Sequence, residues 1–474
     1  MATLDRRSLL ATLASATTFG ISGCAGVAYF SEAPLGDHPA RSVSPMHDLL
    51  LVGTAALMLK MQTLLRSPGG TYAINAETGA LAWQIEDVVL AGEPVAREEA
   101  IYLPCETPTG PKDEDSVWEP NYGQWGGNEG RIIATSPDTG EILWSVTDKE
   151  QGFRWVGFVN GQLYALTDGN RLHSVDPDSG DRAWIFTDLN EVGGFPAAQR
   201  YPAVHEDILA LTAGEQCWGI AADTGDLSWT YDGLEGSMND TASGEEVLYV
   251  ADHDGVIHAI DISTGETVWA FGVPSTFGRF GTARPRELVL NGDVLFAWDS
   301  NDTVWALNAA TGNRYWRTTV EESPYGAFTV TEDTIYVGTR ETIETESPRE
   351  RTTEHIPKVV AIDRRTGEER WQFDQLNGQQ IHDIFRVGDV VGITSWVGPE
   401  SSFVLVDTTS GELQYDLSTM AGGFQRLGGD DSQMQLHVTT RDPPKLIMVD
   451  VANGGSIWEF SAIEYPAIVD PAFV

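Results

Sequence analysis

Hydrophobic positions in this chain fall in short runs rather than long stripes. Gln162-Leu163-Tyr164-Ala165-Leu166, Val247-Leu248-Tyr249-Val250 and Thr334-Ile335-Tyr336-Val337 are typical. Each run is rich in β-branched and aromatic residues, and two are followed closely by the turn formers Asp168-Gly169 and Asp254-Gly255. Runs of that length and composition predict strands, not helices. No run reaches the roughly 18 apolar residues of a membrane-spanning helix. The stretch from Leu49 to Leu65 comes nearest, but Lys60 and Gln62 interrupt it, and it reads as strand.

One polar pattern punctuates these strands. An apolar strand ends in Asp or Asn, a turn ends in Thr-Gly or Ser-Gly, and an aromatic residue follows four positions after the Gly. The first copy runs from Ala73 through Thr78-Gly79 to Trp83. The later aromatic positions are Trp144, Trp184, Trp229, Trp269, Trp316, Trp371, Tyr415 and Trp458. Their glycines are Gly140, Gly180, Gly225, Gly265, Gly312, Gly367, Gly411 and Gly454. Eight of the fifteen tryptophans occupy this single position, so the repeat is not accidental. Gly takes the positive φ of a tight turn without steric cost. Asp and Thr before it can bond nearby backbone amides. The Trp on the outgoing strand can cover the neighbouring unit with a large apolar face.

The glycines recur about every 47 residues, a period of propeller blades rather than of shorter solenoid units. Two strands flank each turn and two more fit between turns, giving four antiparallel strands per unit. The expected fold is therefore all-β, a closed β-propeller of eight or nine blades with tryptophan-docking turns. Near the C-terminus Tyr465–Asp470 reads as one strand, and Leu49–Gly53 reads as the next strand of the same blade. The two ends of the chain would then share a blade and close the ring. Closure predicts no free sheet edge and hence a monomer.

The pattern resembles the pyrroloquinoline-quinone-type propeller repeat, across about residues 45 to 474. Members include quinoprotein alcohol dehydrogenases and BamB-type outer-membrane assembly lipoproteins. The motif is structural in both groups, so the resemblance implies a fold and leaves the activity open. A quinoprotein implies pyrroloquinoline quinone and calcium on the axis, an Asp as general base, and commonly a disulfide between adjacent cysteines. This chain has only Cys24, Cys105 and Cys217, none adjacent to another. No catalytic residue is carried over, and neither cofactor nor metal is expected.

Charge narrows the partners. The chain carries 70 acidic against 29 basic residues, a net charge of −41. Such a surface repels polyanions and excludes nucleic-acid binding. Lysine occurs only at Lys60, Lys112, Lys149, Lys358 and Lys445. An acidic, lysine-poor surface resembles proteins of salt-loving archaea, where molar salt screens self-repulsion.

The first residues read as an address. Arg6-Arg7 opens a twin-arginine signal, a modest apolar stretch runs from Leu9 to Gly23, and Ile21-Ser22-Gly23-Cys24 resembles a lipobox. The expected organisation is a signal peptide over 1–23, a lipidated tether over 24–44 attached at Cys24, and the propeller over 45–474. That places the protein outside the cytoplasm, on the outer face of the cytoplasmic membrane.

Two intervals between glycines are long, and both interrupt a blade between its second and third strands. One holds Trp118, Tyr122 and Trp125, the candidate ligand or partner surface. The other, from Arg340 to Pro357, is highly charged. Long segments on a rigid scaffold commonly carry function. The histidines show no metal spacing, and isolated strand histidines such as His173 and His258 read as structural. Cys105 and Cys217 read as buried thiols. The leading expectation is a non-enzymatic scaffold that binds another protein at the cell surface. The alternatives are a quinone-dependent oxidoreductase with a divergent site and a carbohydrate or small-ligand binder stacking on the three aromatics.

Overall fold

The computed structural model describes residues 49–473 except 61–62, 87, 91, 93, 109–127, 168, 170, 188–201, 275–282, 321–322, 348–349, 379, 397–401, 419–421, 431–434, 443 and 461–466. The described residues form nine antiparallel sheets and no long helix. Eight sheets have four strands. In each sheet the strands are called a to d, from the axis outward. Blades 1 to 9 follow chain order. The a strands of neighbouring blades pack on one another, which places them at the axis. Between Met238–Ser243 and Pro285–Asn291, for instance, the Asp240 carboxylate accepts the Leu288 amide at 2.6 Å.

Blade 1 draws on both ends of the chain. Its a strand is Ala467–Phe473 and its b strand is Leu49–Lys60, paired antiparallel through Gly53 with Val469 and Ala55 with Ala467. The N- and C-terminal strands thus close the ring, and the count is nine. Blade 2 departs from the four-strand pattern. Its inner position is split between Val89–Leu90 and Val95–Ala96, both pairing with Ile101–Pro108. Pro94 lies in the break, and its missing N–H cannot continue a ladder.

The core lies between blades. Tyr249, Ile257 and Ala259 of blade 5 pack with Leu288, Leu295 and Trp305 of blade 6. The same sandwiching recurs round the ring and ends with Ile74 of blade 1 against Leu446, Met448 and Trp458 of blade 9. The b and c strands are almost wholly buried, as in Val247–Asp252 and Thr303–Asn308. They read as continuous apolar runs because both of their faces meet another blade.

Closure does not remove every edge, which corrects the expectation above. Each d strand keeps one edge that pairs with no strand among the described residues. The edges are blunted in another way. Every c–d pair carries a register shift one or two residues before the turn, from Ala73/Ile74 in blade 1 to Met448/Val449 in blade 9. Such bulges twist a short outer strand away from edge-to-edge pairing.

The charged interval from Arg340 to Pro357 is not a loop. It continues the b and c strands of blade 7, Thr334–Ser347 and Glu350–Asp363, through rungs from Glu341–Ile356 to Ser347–Glu350. Thr342, Ile343 and Thr345 have the β-branched side chains that favour strand over irregular loop.

Candidate functional face

The antiparallel order gives the ring two unlike faces. Turns from a to b and from c to d lie on one, here the turn face. Turns from b to c and the crossings from d to the next blade's a lie on the other, the loop face.

Six of the nine c–d turns are capped alike. In blade 3 the Asp176 carboxylate accepts the amides of Asp178 and Ser179 at 3.0 and 2.8 Å and the Ser179 hydroxyl at 3.0 Å. Those bonds from Ser179 hold the Asp176 carboxyl below its usual range. Asn75, Asp261, Asn308, Asp363 and Asp407 repeat the arrangement. The capping residue is thus the one ending the c strand, three before the hydroxyl residue. Gly225 sits at φ +76°, and a Cβ there would lie 2.6 Å from the Trp184 indole. Positive φ and the indole's approach both call for glycine.

Each docking aromatic reaches the next blade. Trp83 Nε1 donates to the Pro137 carbonyl at 2.7 Å, Trp144 to Pro177 at 2.9 Å and Trp184 to Ala222 at 3.1 Å. Trp229 donates to Ile262 at 2.8 Å, Trp269 to Ala309 at 2.9 Å and Trp316 to Arg364 at 3.2 Å. Trp371 donates to Thr408 at 3.0 Å, and the Tyr415 hydroxyl donates to Ala452 at 2.9 Å. Trp458 returns to Ala76 of blade 1 at 3.0 Å. The nine contacts form a closed circuit. They occupy the turn face structurally. A cleft of about 520 Å³ between blades 6 and 7, lined by Tyr315, Trp316 and Arg364, is a dent in this joint.

The loop face carries the chain's excursions. Segments 109–127, 188–201, 275–282, 397–401 and 461–466 all start and end there, by the strands they join. Trp118, Tyr122 and Trp125 fall in the first of these, outside the described residues. Its flanking strands, Ile101–Pro108 and Asn128–Thr135, deliver it to the loop face. Cys24 and the signal region also lie outside the described residues. Among the described residues Lys149 and Lys358 lie in the loop-face half, the latter ion-paired to Glu341 at 3.0 Å.

Two buried polar groups on this face resemble catalytic relays. His258 Nε2 lies 3.0 Å from Asp252 Oδ2, and its Nδ1 lies 3.0 Å from the Tyr231 hydroxyl. Yet Asp252 Oδ1 is taken by the amides of Asp254 and Val256. Burial works to raise this carboxyl, but the His258 bond and the amides outweigh it and leave it lowered. Blade 6 repeats the geometry with Asp299, whose Oδ1 accepts the amides of Asn301 and Thr303 and whose Oδ2 accepts Trp305 Nε1 at 2.8 Å. An indole is neither an acid nor a base near neutral pH, so the shared task is to cap the b–c turn. His258 is structural by the same reasoning. His173 is fully buried, edge-on to Phe153 and 3.5 Å from Asp148. Burial, with Arg182 and Arg171 nearby, pushes it down to about 4, so it is neutral at neutral pH.

Among the described residues no three His, Cys, Asp or Glu side chains converge as a metal site. Cys105 and Cys217 are buried in different inter-blade clusters, and burial pushes the Cys217 thiol up. The described residues therefore do not fit the calcium and disulfide platform that a quinoprotein implies. No helix among them is long and apolar enough to cross a membrane.

A ring of four-stranded blades joined by these turns defines a β-propeller of the pyrroloquinoline-quinone-like repeat class. The family model described as outer membrane protein assembly factor BamB matches residues 128–343 and 233–460, and the chain belongs to that family. The BamB of Legionella pneumophila (strain Paris) is 28% identical over 81 residues, 17% of this chain and 19% of that protein. The crystal structure of BamB from Moraxella catarrhalis has a TM-score of 0.47 at 14% identity, covering 76% of this chain and 94% of that one. The quinohemoprotein alcohol dehydrogenase from Comamonas testosteroni has a TM-score of 0.47 at 11% identity, covering 75% and 72%.

Proposed function

We propose that the protein is exported, is tethered through Cys24 to the outer face of the cytoplasmic membrane, and acts as a non-enzymatic scaffold. Its loop face is the surface that binds another protein. The asymmetry of the ring carries this reading. The turn face is consumed by nine docking joints, while the strands bring both ends of the long segments to the other face. Rigid blades presenting variable segments suit recognition of a partner. Membership of a family described as an assembly factor supports the same role.

The test is a pair of measurements on one preparation. Pyrroloquinoline quinone with calcium, titrated calorimetrically in molar salt, should give no heat and no shift in melting. Replacing 109–127 by a short Gly-Ser link should leave melting unchanged and remove the partner that crosslinks to the parent chain in cells. Tight binding of one quinone per chain would overturn the reading. So would a partner that survives the replacement and crosslinks only to the turn face.

A further inference from the structure

The joint between blades 6 and 7 is built from a different residue. In the other eight motif copies the residue three positions before the glycine is Ala, Pro, Ile, Thr or Val. Ile262, Ala309 and Val451 are buried in their joints in this way. Blade 7 has Arg364 there. Its Cζ lies 5.5 Å from the centre of the Phe296 ring of blade 6, and its Nη2 donates to the Asn291 carbonyl at 2.7 Å. Its Nη1 reaches the Glu332 carbonyl at 3.5 Å. Among the described residues no carboxylate pairs with Arg364, and its Nε is buried without a hydrogen-bond partner. A cation drawn into a joint with neutral acceptors alone costs free energy until an anion joins it. A buried unsatisfied N–H asks for the same missing group. The cleft of about 520 Å³ lies beside this arginine. Clefts of about 300–1,000 Å³ hold small ligands.

We propose that this cleft binds a sugar carboxylate, a hexuronate, with its carboxylate on Arg364 and Arg365 and its ring face on Tyr315. Asp293 and the Tyr315 hydroxyl would take the sugar hydroxyls. Each group in the cleft supports this choice. Arg365 is exposed, and its side chain makes no hydrogen bond or ion pair among the described residues. Two guanidinium forks suit a carboxylate. Tyr315 is 52% exposed, so its ring is open to stacking. Asn308 Nδ2 donates to the Tyr315 oxygen, which leaves the phenol proton to donate in turn. Asp293, exposed in the a–b turn of blade 6, accepts from hydroxyls. The other polar groups of the cleft are committed. The Thr366 hydroxyl bonds Asp363, and Trp316 Nε1 bonds the Arg364 carbonyl. A bare anion would meet Asp293 unfavourably and leave the aromatic ring unused. A neutral sugar would leave Arg364 without its counter-charge. An acid with hydroxyl donors and an apolar ring face uses every free group. The inference concerns the turn face and is independent of the scaffold reading for the loop face.

The test is calorimetric titration of glucuronate into the full chain, with saturation-transfer NMR as a second readout. One glucuronate per chain should bind. Glucose, which has the same ring without the carboxylate, should bind about tenfold more weakly or less, and excess acetate should not displace glucuronate. Arg364→Ala should weaken glucuronate by about tenfold or more. That variant should keep its melting temperature, because Ala76, Ala222 and Ala309 fill the same place in other joints. Arg365→Gln and Tyr315→Ala alter exposed side chains, so each tests the site without entering the joint, and each should weaken binding several-fold. Asp223→Asn, in the corresponding turn of blade 4, should change nothing. A disaccharide ending in glucuronate that binds more tightly than the monomer would assign the ligand to the end of a glycan, and equal binding would assign it to the free sugar. The inference falls if glucuronate shows neither heat nor saturation transfer. It also falls if glucose binds equally well, if acetate displaces glucuronate, or if the Arg364→Ala and Arg365→Gln variants bind like the parent. None of these outcomes bears on the partner of the loop face.

Discussion

At the scale of single residues, the sequence separates fold from chemistry poorly, because this fold uses the residues that chemistry uses. The Asp252–His258–Tyr231 chain has relay geometry, and only comparison with Asp299–Trp305 shows that it caps a turn. The isolated-histidine reading was available from sequence, but the buried carboxylates beside them, Asp148 and Asp252, were not. Asp-rich turns look alike until their bonds are drawn. His173 gives a test at this scale. Its folded-state value near 4 lies below the ordinary 6.5, so the unfolded chain takes up a proton that the folded chain refuses. Stability from this group is fully present above pH ~6.5 and is lost as pH falls toward 4, by on the order of 3 kcal/mol. Asp176, Asp363 and Asp407 have lowered values, Asp363 to about 2 through its Arg370 bond. Their losses come below the ordinary carboxylate range, in a separate window. Denaturant titration at pH 7 and pH 4.5 should show His173→Leu flattening the upper window alone. An unchanged slope in that variant would remove His173 as its cause.

Elements were the most legible level. The strand–turn–Gly–aromatic pattern predicts the c–d hairpin wherever it occurs, because positive φ and aromatic packing fall on fixed positions in every copy and side-chain capping in six of them. Ring closure by the terminal strands was readable for the same reason, since Leu49–Gly53 could not complete a blade alone. The split inner strand of blade 2 and the ribbon of blade 7 were less legible. Both depend on whether a stretch finds a ladder partner, and local pattern does not say so. The docking joint has its own test. Trp229→Ala removes the indole over Gly265 and the bond to Ile262, and should cost about 3 kcal/mol in denaturant titration. A loss below about 1 kcal/mol, within the range of an ordinary surface change, would show that the joints do not hold the ring.

The whole molecule is a ring whose two faces have diverged. The period alone left eight and nine blades open. Among the described residues the circuit of docking contacts, ending with Trp458 on Ala76, joins nine blades. What sequence left hidden was the sidedness. The segment 109–127, the blade 7 ribbon and the blade 1 b–c hairpin are far apart in the chain, and only strand order shows that the strands flanking them end on the same face. The most direct measurement is photo-crosslinking in intact cells from matched positions on the two faces. Lys149 and Glu215 report on the loop face, and Asp138 and Asp223 on the turn face; all four are exposed. Adducts to one defined protein from Lys149 and Glu215, and none from Asp138 and Asp223, is the predicted result. Adducts from the turn face alone, or from no position while the chain is folded and at the membrane, would contradict it.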